Sequence, residues 1–100
     1  MSVSKNWEAT VINGIAGHEI IVKGEANVGM LDVEPELKKR VPQGFNPLIL
    51  QLDLLNAGDA NPENFKPVQY NEKIAKQNHY ESVDIFHEGK IIKHIKVHVK

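Results

Sequence analysis

Five histidines, with one serine and one aspartate close to two of them, are the residues of this chain whose types could do chemistry. His18, His79, His87, His94 and His98 would have to carry any transition-metal site together with carboxylates, because there is no cysteine. His94 and His98 fall on one side of a strand with Lys96 between them. Four residues of strand span about 13 Å, whereas zinc-bound imidazole nitrogens lie about 2 Å from the metal, so one ion cannot bridge the pair. His87 falls in a turn, and only convergence of His18 with carboxylates from other strands would build a site. No metal and no cofactor is expected, and the histidines are read as polar residues of exposed strand faces. Ser82, Asp84 and His94 match the residue types of a hydrolytic triad. Ser82 sits in mid-strand, without a tight turn or helix N-terminus to supply oxyanion donors. Asp84 is expected beside Ser82 rather than behind His94, so no catalytic residue is assigned.

Binding offers more. Lys90, Lys93, Lys96 and Lys100, with Tyr80 and Phe86 nearby, are types that track phosphates and stack on bases. Glu81, Asp84 and Glu88 are interleaved with them, however, and 12 Lys and Arg against 13 Asp and Glu leave a net charge of −1. Nucleic acid is therefore not the expected partner. Lysines on a last strand also discourage edge-to-edge pairing. The outer side of the closing hairpin gathers Tyr80, Phe86, Ile92, His94, Lys96 and His98, and apolar residues on a polar face mark a contact surface for a protein partner or a second copy of the chain. A recognition loop is the other candidate: Gln43, Gly44, Phe45 and Asn46 lie between Pro42 and Pro47, whose fixed backbone lowers the entropy cost of binding. Phe45 is expected to tuck beneath that loop as an anchor.

The elements that must hold these residues follow a period of two. Trp7, Ala9 and Val11, then Ile20, Val22, Ala26 and Val28, alternate with polar residues and predict a hairpin over residues 6–28, its loop longer than two residues. Leu48, Leu50, Leu52 and Leu54 share one face of a central strand that Pro47 introduces. "DVEPELKKRV" predicts one short helical turn near residues 35–41, with Pro35 at its start, acids before it and bases at its end. Residues 29–46 as a whole are expected to be the least regular part of the chain. Val68, Tyr70 and Ile74 mark a strand interrupted by Glu72. In the closing hairpin a three-residue turn at His87, Glu88 and Gly89 collects Val83, Ile85, Ile91, Ile95, Val97 and Val99 on one face, with Ser82 opposite His94.

One hundred residues, 41% of them hydrophobic and 25% charged, suit one folded domain spanning the whole chain. No run approaches the ~20 apolar residues of a membrane helix, and no apolar stretch follows the first lysine as in a signal peptide. No membrane partner is expected, and elimination points to the cytoplasm. Six or seven strands without a strong helix predict an all-β protein, a single antiparallel β-sandwich. Tyr80, Val83 and Ile85, a glycine turn, then Ile95, Val97 and Val99 resemble the closing hairpin of immunoglobulin-like domains, which implies an immunoglobulin-like outline. The expected function is a small non-enzymatic protein-binding or assembly module. The alternative is a small enzyme or small-ligand-binding protein whose histidines and carboxylates gather from different loops; a concave pocket holding His18 or His79 and two carboxylates would favour it.

Overall fold

The computed structural model describes residues 3–100. Its elements are all strands: β1 (Ser4–Gly14), β2 (Gly17–Asn27), β3 (Glu36–Lys39), β4 (Ile49–Leu55), β5 (Phe65–Ile74), β6 (Ser82–His87) and β7 (Lys90–Val99). They form one mixed sheet in the order β3-β4-β6-β7-β1-β2-β5. Its two edges come round to meet, with Lys39 Nζ on β3 3.1 Å from Glu72 Oε1 on β5. The result is nearly a barrel, flattened to 42 × 29 × 19 Å. The architecture is a single rolled sheet, and it does not establish the two-sheet, immunoglobulin-like outline expected from the closing hairpin.

Nor is the sheet purely antiparallel. β1 runs parallel to β7 through Ala9–Val11 and Val97–Val99, and β4 runs parallel to β6. The second pairing follows from the path of the chain. After β4 it crosses to the far edge and lays β5 against β2, so β6 re-enters beside β4 in the same direction. Alternation then fills the interior. Ala9, Val11, Ile20, Val22, Leu50, Leu52, Val83 and Ile85 are fully buried, and Ile95, Leu37, Leu54, Val68 and Ile74 nearly so. At about 1.5–3 kcal/mol for each large aliphatic side chain, this contiguous cluster is the main stabilising term.

Several expectations are corrected. The helical turn near residues 35–41 is absent, and Glu36–Lys39 form β3, antiparallel to β4 with Leu37 opposite Leu54. A single turn of helix leaves most of its backbone groups unpaired, whereas β4 offers a ready ladder and a buried place for Leu37. Leu48 stays outside, because β4 begins at Ile49. The first hairpin turns through only Ile15 and Ala16, since Gly14 and Gly17 already pair. Glu72 does not interrupt β5, which is continuous. In the closing hairpin His87 pairs with Lys90, leaving a two-residue turn of Glu88 and Gly89, both at positive φ. A bulge then restores the facing: Phe86 pairs with Ile91 and Ile85 with Lys93, so Ile92 is the extra residue and packs against the core. Val83, Ile85 and Ile95 point inward as expected. Val97 is half-buried, and Val99 and Ile91 are exposed, because β7 there leaves β6 for β1 or nears its turn.

Between β2 and β3 the chain is irregular but tied down. Asn27 is fully buried, donates through Nδ2 to the Ala60 carbonyl at 3.1 Å, and accepts through Oδ1 from the amides of Gly29 and Asn64. One side chain thereby satisfies three backbone groups on two loops where no ladder reaches them.

Candidate functional site

Two strand pairings set one of the predicted surface residues, His94, in a row that crosses three strands. Leu50 and Leu52 face the core, so Gln51 between them faces outward. It stands beside Asp84 of β6, which stands beside His94 of β7. Residues paired across a ladder share a face. The row is therefore Gln51, Asp84, His94, with Ile49, Ser82 and Lys96 on one side of it and Asp53, Phe86 and Ile91 on the other.

The 40–48 loop folds back onto this row. Gln43 acts as a fragment of strand: its Oε1 accepts from the Gln51 amide and its Nε2 donates to the Gln51 carbonyl, both at 2.8 Å. The same Nε2 lies 2.7 Å from the Arg40 carbonyl. Gly44 then passes over the Gln51 side chain so closely that a methyl group in its place would lie 2.8 Å from Nε2. Asn46 Oδ1 accepts from the Leu48 amide and closes the loop's far side. The Arg40 guanidinium, 3.1 Å from Asp53, lies over the Phe86 ring at 4.0 Å. The two candidate surfaces, loop and hairpin face, are thus neighbours.

Phe45 does not tuck. It is fully exposed, as Val41 nearly is, and Leu48 is partly so. Gln43 supplies the anchoring that Phe45 was expected to supply, and polar pairing to β4 frees the aromatic ring. Replacing Gln43 by alanine should cost about 1–2 kcal/mol, since it removes three hydrogen bonds to backbone groups, two at Gln51 and one at Arg40. It should also raise amide exchange at Gln51 while leaving Leu52 and Leu54 slow. Unchanged exchange at Gln51 would show that the loop is held by something else.

The outer-face residues separate. Tyr80 is buried and belongs to the interior, Ile92 packs on the core, and Phe86 is half-buried beneath Arg40. His94, Lys96 and His98 are exposed. Asp84 is almost wholly buried and its Oδ1 lies 2.5 Å from His94 Nδ1, so it does stand behind His94, contrary to expectation. Ser82 pairs with Lys96 instead of His94, and among the described residues no hydrogen bond joins Ser82 to the ring. The Asp84–His94 contact fixes a ring without presenting a nucleophile to it.

A second cluster lies at the closing seam. Val68, Tyr70, Glu72 and Ile74 alternate along β5, which turns Glu72 inward with the apolar residues. Its carboxylate accepts from Tyr70 Oη at 2.6 Å and Tyr80 Oη at 2.8 Å and pairs with Lys39. Burial pushes the Glu72 carboxyl up, but the two phenols and the ammonium outweigh it and hold the group below the ordinary glutamate value. Burial and Glu72 raise both tyrosines, with Lys39 partly offsetting the effect at Tyr80. Burial lowers Lys39, yet Glu72 and Tyr80 prevail and raise it. Each shift favours the form that makes these bonds, so the cluster is a latch across the seam and offers no activated base or nucleophile.

The remaining histidines are dispersed. His18 Nδ1 contacts Asn13 Oδ1, His87 Nε2 contacts the Ala57 carbonyl at 2.7 Å, and His79 meets Tyr80 edge to face. Among the described residues no three of His, Asp and Glu converge as metal ligands. The concavity at His18, about 140 Å³, holds one carboxylate, Glu19, with Lys73 beside it. Among the described residues no helix is long and apolar enough to cross a membrane. Comparison with known protein families, with curated proteins and with solved structures finds no match to this chain.

Proposed function

We propose that this protein is a non-enzymatic binding module that recognises another protein through the 41–48 loop and the adjoining outer face of β4, β6 and β7. The observation that carries this reading is Phe45, an aromatic ring fully in solvent on a loop whose neighbours on both sides are pinned. A braced loop loses little entropy on binding, and aromatic side chains are the usual anchors of protein interfaces. Val41 and Leu48 widen the apolar contact, while Arg40, Gln51 and His94 supply a polar rim. The division of β7 between β6 and β1 supports a sandwich-like view of the flattened roll, in which β5-β2-β1 and β3-β4-β6 face one another. The enzyme or small-ligand reading has less behind it: the pocket at His18 holds one carboxylate where two were required, and the seam cluster is saturated by its own bonds.

A photo-crosslinking benzoylphenylalanine at position 45, with the same group at Gln69 on β5 as control, tests this in cells. A discrete adduct should form from position 45 alone and should weaken in a Val41→Ser, Leu48→Ser background. Equal labelling from both positions, or no adduct specific to position 45, would remove the loop as a recognition site.

A further inference from the structure

β7 has two edges, and they are occupied unequally. On one side it pairs with β6 from Lys90 to Lys96; on the other it meets β1 only at Val97–Val99. β1 leaves β7 below Ala9, its ladder with β2 shifting between Lys5 and Glu8, where Asn6 takes a positive φ. Among the described residues, seven residues of β7, about 20 Å of strand, therefore have no ladder on the side away from β6. Three lysines lie along that stretch, Lys90, Lys93 and Lys96, all exposed, with His94 also exposed among them. Among the described residues none of the three lysines has an ion pair, and the one carboxylate facing this strand from β6, Asp84, is already bound to His94. Glu81 and Glu88 flank the stretch at its two ends.

We infer that the free edge of β7 from Lys90 to Lys96 accepts an acidic, extended peptide segment of a partner protein as an added strand. Backbone groups on an unpaired edge supply hydrogen bonds to any strand, and the lysines select for carboxylates. Side chains opposite Lys93 and Lys96 emerge on opposite faces, so acids spaced three apart along the added strand would meet both. A second copy of this chain is the wrong occupant, because two β7 edges would set lysine against lysine. The bulge at Ile92 interrupts the edge and restricts its most regular part to Lys93–Lys96. The docked strand is accordingly short and depends on charge as well as on backbone pairing. This surface is distinct from the 41–48 loop, and the two readings fail separately.

The probe is an acetylated, amidated Val-Glu-Val-Glu-Glu-Val-Glu peptide with a fluorophore, titrated by anisotropy at low salt. Binding should weaken at least tenfold in a Lys93→Glu, Lys96→Glu variant whose melting is unchanged. It should weaken at least tenfold again for the wild type when alternate peptide nitrogens are methylated, which removes backbone donors and keeps the charge. Phe45→Ser should leave binding intact. No binding at millimolar peptide overturns the inference. Equal affinity of the methylated peptide would reduce the edge to plain charge attraction, and loss of binding in Phe45→Ser would move the site to the loop; either result also overturns it.

Discussion

Glu72→Ala should lower stability by about 2–3 kcal/mol and flatten the dependence of stability on pH at both ends of the range. The carboxylate is mostly buried and accepts from two phenols, so its removal leaves Tyr70 and Tyr80 without their acceptor inside the seam. The ion pair itself contributes the smaller share, because Lys39 is 40% exposed and solvent screens it. Glu72→Gln keeps one acceptor oxygen and should cost less than the alanine variant. At the acid end, the stability that Glu72 supplies is complete above the ordinary glutamate value near 4.3 and is lost as pH falls through its lowered folded value. At the alkaline end the phenols and Lys39 are raised. Their contribution is complete below their ordinary values near 10 and is lost as pH rises through the folded ones. Urea unfolding of wild type and both variants from pH 3 to 11 checks each limb. An alanine variant within about 0.5 kcal/mol of wild type at neutral pH would show that the seam does not depend on this latch.

Gly24→Val should destabilise by about 2–3 kcal/mol, through collision with Trp7. Gly24 is buried on β2 between the inward residues Val22 and Ala26, and the indole lies across it. A methyl group at Gly24 would stand 2.3 Å from Trp7 Cε3 and 2.6 Å from Cδ2, distances at which the ring must move. Trp7 is not free to swing aside at no cost: its Nε1 donates to Ser4 Oγ at 2.8 Å, and its ring packs against the core. Trp7→Ala alone opens a hole and should cost about 2–3 kcal/mol. Combined with Gly24→Val it should cost clearly less than the two changes added, since each relieves the other. Strict additivity in chemical denaturation would mean that indole and glycine do not share this space.

How far the sequence announces this structure depends on the range of the interactions involved. Local alternation marks Ala9 and Val11, Ile20 and Val22, Leu50 to Leu54, and Val83 and Ile85, and all of these are inside. β3 is invisible because its single apolar residue, Leu37, acquires meaning only opposite Leu54. Acids ahead of bases around Pro35 carry a helical signal that tertiary pairing overrides. Both parallel ladders join segments distant in sequence, and no local pattern encodes direction. The bulge at Ile92 has no local signature: the side chains that a three-residue turn would collect favour that turn, whereas the molecule uses the shorter one and inserts a residue. Of the candidate site, the loop and the exposed histidine and lysine were legible, whereas the outward ring of Phe45 was not. Gln43 pairing with a strand backbone has no sequence signature. The Tyr70, Glu72 spacing on one strand face is a usable hint of the seam, masked where the charged residue reads as an interruption of the strand.

The short parallel ladder between β1 and β7 has a mechanical consequence. β1 enters at one end of the roll and β7 leaves at the other, with Ala9–Val11 alongside Val97–Val99 and the Lys100 amide bound to the Val11 carbonyl at 3.0 Å. Tension applied through Ser4 and Lys100 therefore drags the two strands past each other along their length. Every bond of the patch is loaded at once, whereas a hairpin pulled from its open end parts one bond at a time. Stretched along the chain, this rolled sheet should resist as a clamp: it should hold to a sharp threshold force, and sliding of β7 against β1 should be the event that lets the remaining strands unravel.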